Sequence, residues 1–355
     1  MQLKSDLPFA TMRIMKIIEL RENAVRQNSA SVISLLQSIS LYHGKTYDLP
    51  KIKGLNRLHS LSKRRSSTAS NAIEGIKVTP RRENDLFELG KKPEVYEDYM
   101  LTGYNKALER VISSYRYQSL DEAFILSLHR FLYEGFSPDF GGKYKDTQNW
   151  IVDGTGKILF TPSRPEEVPQ LMGNLLYQYS LCHRDPVINP LILDAVFILD
   201  FLCIHPFNDG NGRVSRLLTT FLLLKDGYPV DLYDSVSYRI LQHREEYYQA
   251  LSSSDQGWEK GKNDPSSFVL FFLRMILESY QKLDERIELF KEKATAAEKV
   301  RKVILASEIP VSKADIEETL FFYSRTTIEK ALGDLLKAKE IQMVQSGHYA
   351  KYYRP

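Results

Sequence analysis

Cysteine is nearly absent: 355 residues carry two, Cys182 and Cys203, each inside an apolar helical pattern. That excludes a disulfide framework and a cysteine-ligated zinc site, and both thiols read as small core residues of a reducing compartment. Long apolar runs are missing too. The most apolar stretch, Leu191 to Ile204, contains Asp194 and Asp200 and is too short to cross a bilayer. Near the N-terminus Arg13 and Lys16 interrupt the apolar residues, so no signal-peptide core is expected. Neither charge sign dominates, because a formal net charge of +3 is too small to imply nucleic acid or membrane binding by itself. There is no internal repeat and no low-complexity tract. The expectation is a cytoplasmic protein with no membrane partner, long enough for more than one domain.

Amphipathic helices account for most of the sequence. Apolar residues at three- and four-residue spacing predict helices over Met12 to Gln27, Ala30 to His43, Gly54 to Glu74, Val95 to Ser113 and Leu120 to Gly135. Gly75 and Gly135 sit where C-terminal caps belong. Further helices are expected over Pro165 to His183, Asn189 to Cys203, Asn211 to Lys225, Ser235 to Leu251 and Pro265 to about Ala297. Two segments break the pattern. Thr147 to Phe160 places β-formers on either side of Asp153-Gly154-Thr155-Gly156, a hairpin signal. At the end, short helices over Ser312 to Leu320 and Ser324 to Lys339 precede two strands around Ser346-Gly347. That order resembles a winged helix.

Residues 205–216 read HPFNDGNGRVSR and gather the groups that nucleotide chemistry needs. His205 ends an apolar helix, and Pro206 is expected to push it into extended geometry. A histidine there is either a capping residue or a base able to accept a hydroxyl proton near neutral pH. Asp209 offers a hard oxygen for Mg²⁺. Gly210, Asn211 and Gly212 turn the chain into a helix whose first N–H groups, without bulky side chains, form an anion cradle. Arg213 and Arg216 share one helical face just beyond it, where guanidinium forks suit phosphate oxygens. Phe207 reads as a core anchor.

HPFNDGNGRVSR also resembles the Fic family signature, HxFx(D/E)GNGRxxR, at every specified position. The resemblance implies a mainly α fold: a helical bundle with a β-hairpin flap, here followed by a small C-terminal winged-helix domain. It implies transfer of AMP from Mg·ATP to a Ser, Thr or Tyr hydroxyl of a target protein, self-modification included. His205 would be the base and Asp209 the metal ligand, with Gly210 to Gly212 cradling phosphate. Arg213 would hold the β-phosphate and Arg216 the γ-phosphate. Intact Gly212 favours AMP transfer over phosphate transfer. Thr147 to Phe160 resembles the flap, with Asn149, Trp150, Ile151 and Val152 docking the target as an added strand; the alternative is a hairpin that only covers the core. Arg244 to Tyr248 is similar to a segment walling the nucleotide base, which would make Tyr247 a nucleotide contact or a core residue. Ser70 to Gly75 resembles the family's inhibitory pattern, (S/T)xxxE(G/N). By that likeness Ser70, Glu74 and Gly75 form a brake in which the Glu74 carboxylate takes Arg216 from the γ-phosphate.

Three regions follow: 1–95 with the inhibitory motif, 96–290 as the catalytic core, and 291–355 as the winged-helix-like domain. Residues 291–355 carry twelve Lys or Arg against nine Asp or Glu. Arg325 at the second helix, with His348, Tyr349, Lys351 and Tyr352 on the hairpin, is placed for DNA contact. Glu317, Glu318, Glu329 and Asp334 dilute that face, so protein docking is the alternative. The rival to the enzyme is a nucleotide-sensing, DNA-binding regulator. Removal of AMP and a homodimer also remain open.

Overall fold

The computed structural model describes residues 29–46, 49, 52, 54–152, 154–185, 187–345 and 350–355. The helix expected over Met12 to Gln27 lies outside these residues, as do Asp153 and residues 346–349 with His348 and Tyr349. Helices dominate: α1 Ser29–Gly44, α2 Leu55–Ile73, α3 Pro80–Phe87, α4 Tyr96–Ser114 and α5 Glu122–Tyr133 precede the hairpin. Strands β1 Ile151–Val152 and β2 Ile158–Phe160 pair antiparallel, Ile151 opposite Phe160, with a bulge after Ile151. Among the described residues the strand pairing is shorter than the β-forming sequence.

At the centre lie α6 Val168–Cys182, α7 Pro190–Ile204 and α8 Asn211–Lys225. Asn189 caps α7 by accepting from Leu191 N–H, Pro190 fits the first turn, and nearly every α7 side chain is buried. An all-round apolar helix belongs in the middle of a core. Helices α9 Val236–Gln242, α10 Arg244–Ser254 and α11 Ser266–Lys291 close the core around it. The continuous helix expected from Ser235 to Leu251 is broken. His243 leaves helical geometry (φ −109°, ψ 35°), and its ring reaches Glu246 and Glu278. The one expected from Pro265 to Ala297 also divides, because Glu292 is extended and a Thr295–Glu298 capping box starts a new helix, α12 Ala296–Ala306.

Strand β3 Val311–Ser312, helices α13 Lys313–Thr319 and α14 Arg325–Lys337, and strands β4 Gln342–Gln345 and β5 Lys351–Tyr353 complete the chain. The strands form an antiparallel sheet in the order β3-β5-β4. Val300, Ile304, Ile316, Ile328 and Leu332 give this unit an apolar cluster apart from the main one. Among the described residues no helix is long and apolar enough to cross a membrane.

Two cap expectations change. Gly75 is left-handed (φ 83°), as a cap requires, but Gly135 is not. A Cβ at Gly135 would lie 3.0 Å from the Tyr99 ring, so smallness there serves packing against α4. His205, expected to be extended, is left-handed instead (φ 53°, ψ 62°). Its N–H still closes the last turn of α7 on Phe201 O at 2.9 Å, and αL geometry is what allows that bond while the chain turns away.

Candidate active site

The loop from α7 to α8 is held by its own side chains. Asn211 accepts from Phe207 N–H (2.8 Å) and donates to Phe207 O (2.7 Å), bracing the turn from within. Phe207 is fully buried and stacks on His129 of α5, ring centroids 3.9 Å apart and planes 3° from parallel. His129 Nδ1 accepts from Gly142 N–H at 2.9 Å, so its Nε2 carries the proton and donates to Asp209 O at 3.0 Å. Burial pushes the His129 pKa down to about 4 and keeps the ring neutral.

His205 has the opposite tautomer. Its Nδ1 lies 3.1 Å from Leu202 O; a carbonyl only accepts, so Nδ1 carries the hydrogen and Nε2 keeps its lone pair. Burial, reinforced by the nearby Lys145 cation and opposed by the Leu202 bond, pushes its pKa to about 4. The His205 ring is therefore unprotonated at neutral pH. Its αL backbone costs roughly 1–2 kcal/mol, a strain that surrounding contacts must hold.

Asp209 is presented rather than buried, its side chain 57% exposed. Oδ2 accepts from Tyr133 Oη (2.5 Å) and Arg213 Nη2 (2.8 Å). Burial opposes ionisation, but Arg213, Tyr133 and the Gly210 N–H outweigh it and hold the carboxyl below its ordinary range. Among the described residues no group of three or more His, Cys, Asp or Glu could hold a metal ion. A single tethered carboxylate fits Mg²⁺, which commonly takes one or two protein carboxylates and completes its shell with phosphate and water. Arg213 itself is 1% exposed and spans Asp209, Tyr133 and the Met100 sulfur. Its guanidinium is held by these three groups.

Gly210 (φ 87°) precedes α8 without a side-chain cap, leaving the helix N-terminus to other partners. Glu74 supplies one. A Cβ on Gly212 would lie 2.2 Å from Glu74 Oε1, so the carboxylate rests directly on the glycine. The same oxygen meets Arg216 Nη2 at 2.6 Å, while Arg216 Nε donates to Ser70 Oγ (2.7 Å) and Nη2 to Ser70 O (2.9 Å). Arg216 Nη1 is buried and meets no hydrogen-bond partner among the described residues, while Tyr247 lies against the guanidinium. A carboxylate on a helix N-terminus, beside an unsatisfied guanidinium N–H, marks an anion position. Tyr247 is buried against Arg216, Phe268 and Phe271, so it belongs to the core. Arg244 Nε and Tyr248 Oη donate to Ile73 O at 3.2 and 3.3 Å and fasten the end of α2.

The hairpin reaches this loop through Asn149, whose Nδ2 donates to Phe207 O at 3.0 Å. Trp150 and Val152 are exposed, with Ile158 and Leu159 opposite, and Ile151 is half-buried. Sequence reasoning missed His129, Tyr133 and Lys145. The available signal was polar groups at i and i+4 within the apolar helix His129-Arg-Phe-Leu-Tyr133.

Comparison with known proteins converges on this loop. The Fic/DOC family matches residues 119–223, which span α5 through most of α8. The chain is 29% identical over 212 residues to a protein adenylyltransferase Fic of Nematostella vectensis, covering 58% of this chain and 45% of that one. A Fido domain-containing protein of Dictyostelium discoideum is 30% identical over 125 residues, 35% of this chain and 82% of its own length. The chain thus spans less than half of the adenylyltransferase it matches. In fold it is similar to a Fic family protein from Desulfovibrio desulfuricans G20, with a TM-score of 0.61 at 22% identity over 92% of this chain and 96% of that one. A shared helical fold, a matched motif and a relative covered over most of its length agree: this chain belongs to the Fic/DOC family.

Proposed function

We propose that this chain transfers AMP from ATP to a hydroxyl side chain of a target protein and that Glu74 holds the reaction in check. The observation carrying the proposal is the anion position on Gly212, filled by Glu74 and bordered by the unpartnered Nη1 of Arg216. A triphosphate docking there would seat its terminal phosphate on Arg216 and the α8 N-terminus. The hydroxyl oxygen attacks the α-phosphorus, His205 Nε2 takes its proton, the bond to the bridging oxygen breaks, and pyrophosphate leaves. Asp209 would hold Mg²⁺, which neutralises phosphate charge when bound. Asn149 to Val152 would offer the target a strand edge beside the base, the exposed apolar side chains fixing its register. While Glu74 sits on Gly212 the terminal phosphate is displaced and in-line geometry is lost.

The three regions 1–95, 96–290 and 291–355 form part of this reading, the last as a winged-helix-like module. Its cations favour a docking role over DNA contact: Arg325 pairs with Glu329 and Glu317, and Lys313 with Glu329. Intact mass measurement of the Glu74→Gly chain with ATP and a lysate tests the proposal. One added AMP per modified protein supports it. Added phosphate alone, or no adduct on any protein, contradicts it.

A further inference from the structure

Lys145 sits at the base of the hairpin, and its contacts converge on the turn that presents His205. Its backbone N–H donates to Pro206 O at 2.8 Å. Its ammonium donates to Asn149 Oδ1 at 2.8 Å and reaches Ile204 O at 3.5 Å. Asn149 passes the contact on to Phe207 O. Carbonyls 204, 206 and 207, which surround His205, are thus all held from the hairpin stem. Two outer contacts extend the lacing: Thr147 Oγ1 to Asn208 Oδ1 (3.1 Å) and Asn208 Nδ2 to Asp146 Oδ1 (3.0 Å). Lys145 is 4% exposed and makes no ion pair with a carboxylate among the described residues, an arrangement that side-chain desolvation disfavours. A space-filling role would be served as well by methionine, so the buried ammonium calls for another explanation.

We propose that Lys145 is a positioning residue whose ammonium clamps the left-handed turn presenting His205 and couples that turn to the hairpin that receives the target. This rests on the transfer reading above. A left-handed histidine needs outside restraint, and carbonyls on both sides of it are the natural handles. Two carbonyls are tied by donors of Lys145 and a third by the amide that Lys145 orients, so movement of the hairpin on target binding is felt at the base. Misplacement of a base by about 1 Å can lower a rate ~100-fold.

Charge gives the proposal a readout that packing alone would not move. Burial draws the Lys145 pKa down to about 8, against the pull of Glu167 at the start of α6. Facing His205 are Lys145 from the hairpin stem, Glu74 from the end of α2, and Asp209 from the loop. In a Glu74→Gly background, kcat should therefore fall above about pH 8, as the ammonium loses its proton and its hold on Ile204 and Asn149. Lys145→Arg should keep transfer and abolish that alkaline limb, since a guanidinium stays charged. Lys145→Met should lower kcat ~10-fold or more with the KM for ATP little changed. By NMR, the His205 ring should also titrate at higher pH in Lys145→Met, because a neighbouring positive charge is gone. Methionine matching lysine in rate, an alkaline limb unchanged in an active Lys145→Arg protein, or an unmoved His205 titration would overturn the proposal. If Lys145→Arg cannot be packed, the NMR titration of Lys145→Met decides alone. Failure of the Glu74→Gly chain to transfer any AMP sinks the reading of function instead, and the titration still tests the clamp.

Discussion

Asp209 depends on two neighbours that the loop itself does not supply, and Tyr133 is the one that can be changed with least disturbance. Tyr133→Phe removes the donor to Oδ2 and the acceptor of Arg213 while keeping the ring. Partners behind a metal-binding carboxylate are worth ~10–100-fold in metal affinity or activity. The variant should need about tenfold more Mg²⁺ for half-maximal transfer, with ATP affinity in saturating Mg²⁺ little altered; an unchanged Mg²⁺ titration would remove Tyr133 from this role. His129 and His205 make a pH prediction with a definite sign. Both have folded pKa values near 4, below the ordinary 6.5, so the unfolded chain binds protons the folded chain excludes. Their contribution to stability is full above about pH 6.5 and declines as pH falls toward 4, by an order of ~3 kcal/mol for buried His129. Asp231 and Asp255, raised by burial to about 6, and Asp194, raised by burial as well, work in the opposite direction. The difference in denaturation midpoint between wild type and His129→Asn, taken at pH 7, 6 and 5, isolates the histidine: the variant's deficit should shrink toward acid, and a deficit that stays constant or grows contradicts it. The loop's chemistry was legible in the sequence because His205, Asp209, Gly210 and Arg216 lie in one run. His129, Tyr133 and Lys145 were not, since they come from α5 and the hairpin stem and only folding brings them together. Tyr247 was ambiguous for a similar reason: an aromatic at helical spacing does not say which side faces a ligand.

Helix α2 connects two ends of the molecule. At its C-terminus Ser70 and Glu74 hold Arg216, while toward its N-terminus Arg57 bonds Tyr323 O and Arg65 pairs with Asp315 and Glu318. Removing the carboxylate frees both Gly212 and Arg216. Glu74→Gly should raise labelling, and Arg216→Ala added to it should cancel the gain. If the braked chain is competent about 1% of the time, the bias is ~2.7 kcal/mol and the gain approaches 100-fold. Equal labelling by wild type and Glu74→Gly would make Ser70 to Gly75 an ordinary helix end. Most helices were readable from apolar spacing; α8 matches its expected span, and α1 and α7 fall within a residue of theirs. The short α3 was missed, although Thr79, Pro80 and Glu83 spell a capped start, because eight residues hold too few apolar positions to show a period. The break at His243 was invisible for a different reason. There the ring meets Glu278, thirty-five residues away, a contact that local spacing does not show.

Across the whole molecule, buried ion pairs join the terminal unit to the core. Glu318 of α13 meets Arg65 of α2 (2.5 Å) and Arg286 of α11 (2.7 Å), and Arg286 continues to Asp234. Breaking one member of such a network leaves a charge buried without its partner, at about 3–5 kcal/mol. Glu318→Ala should lower the denaturation midpoint accordingly and Glu318→Gln by less. Full stability in Glu318→Ala would show that the terminal unit rests on the core without depending on these ions. The sequence announced this unit through its helix and strand order but not its docking, since Arg65 lies 250 positions from its partner Asp315. One site is proposed to transfer AMP with His205 as its base and Glu74 as its brake. Incubating wild type, Glu74→Gly and Glu74→Gly/His205→Ala with ATP labelled at the α- and then the γ-phosphate tests all three parts together. The account predicts covalent α-label that is weak in wild type, strong in Glu74→Gly and absent once His205 is replaced, with no γ-label in any. Label retained from the γ-phosphate, or full α-label without His205, would contradict it.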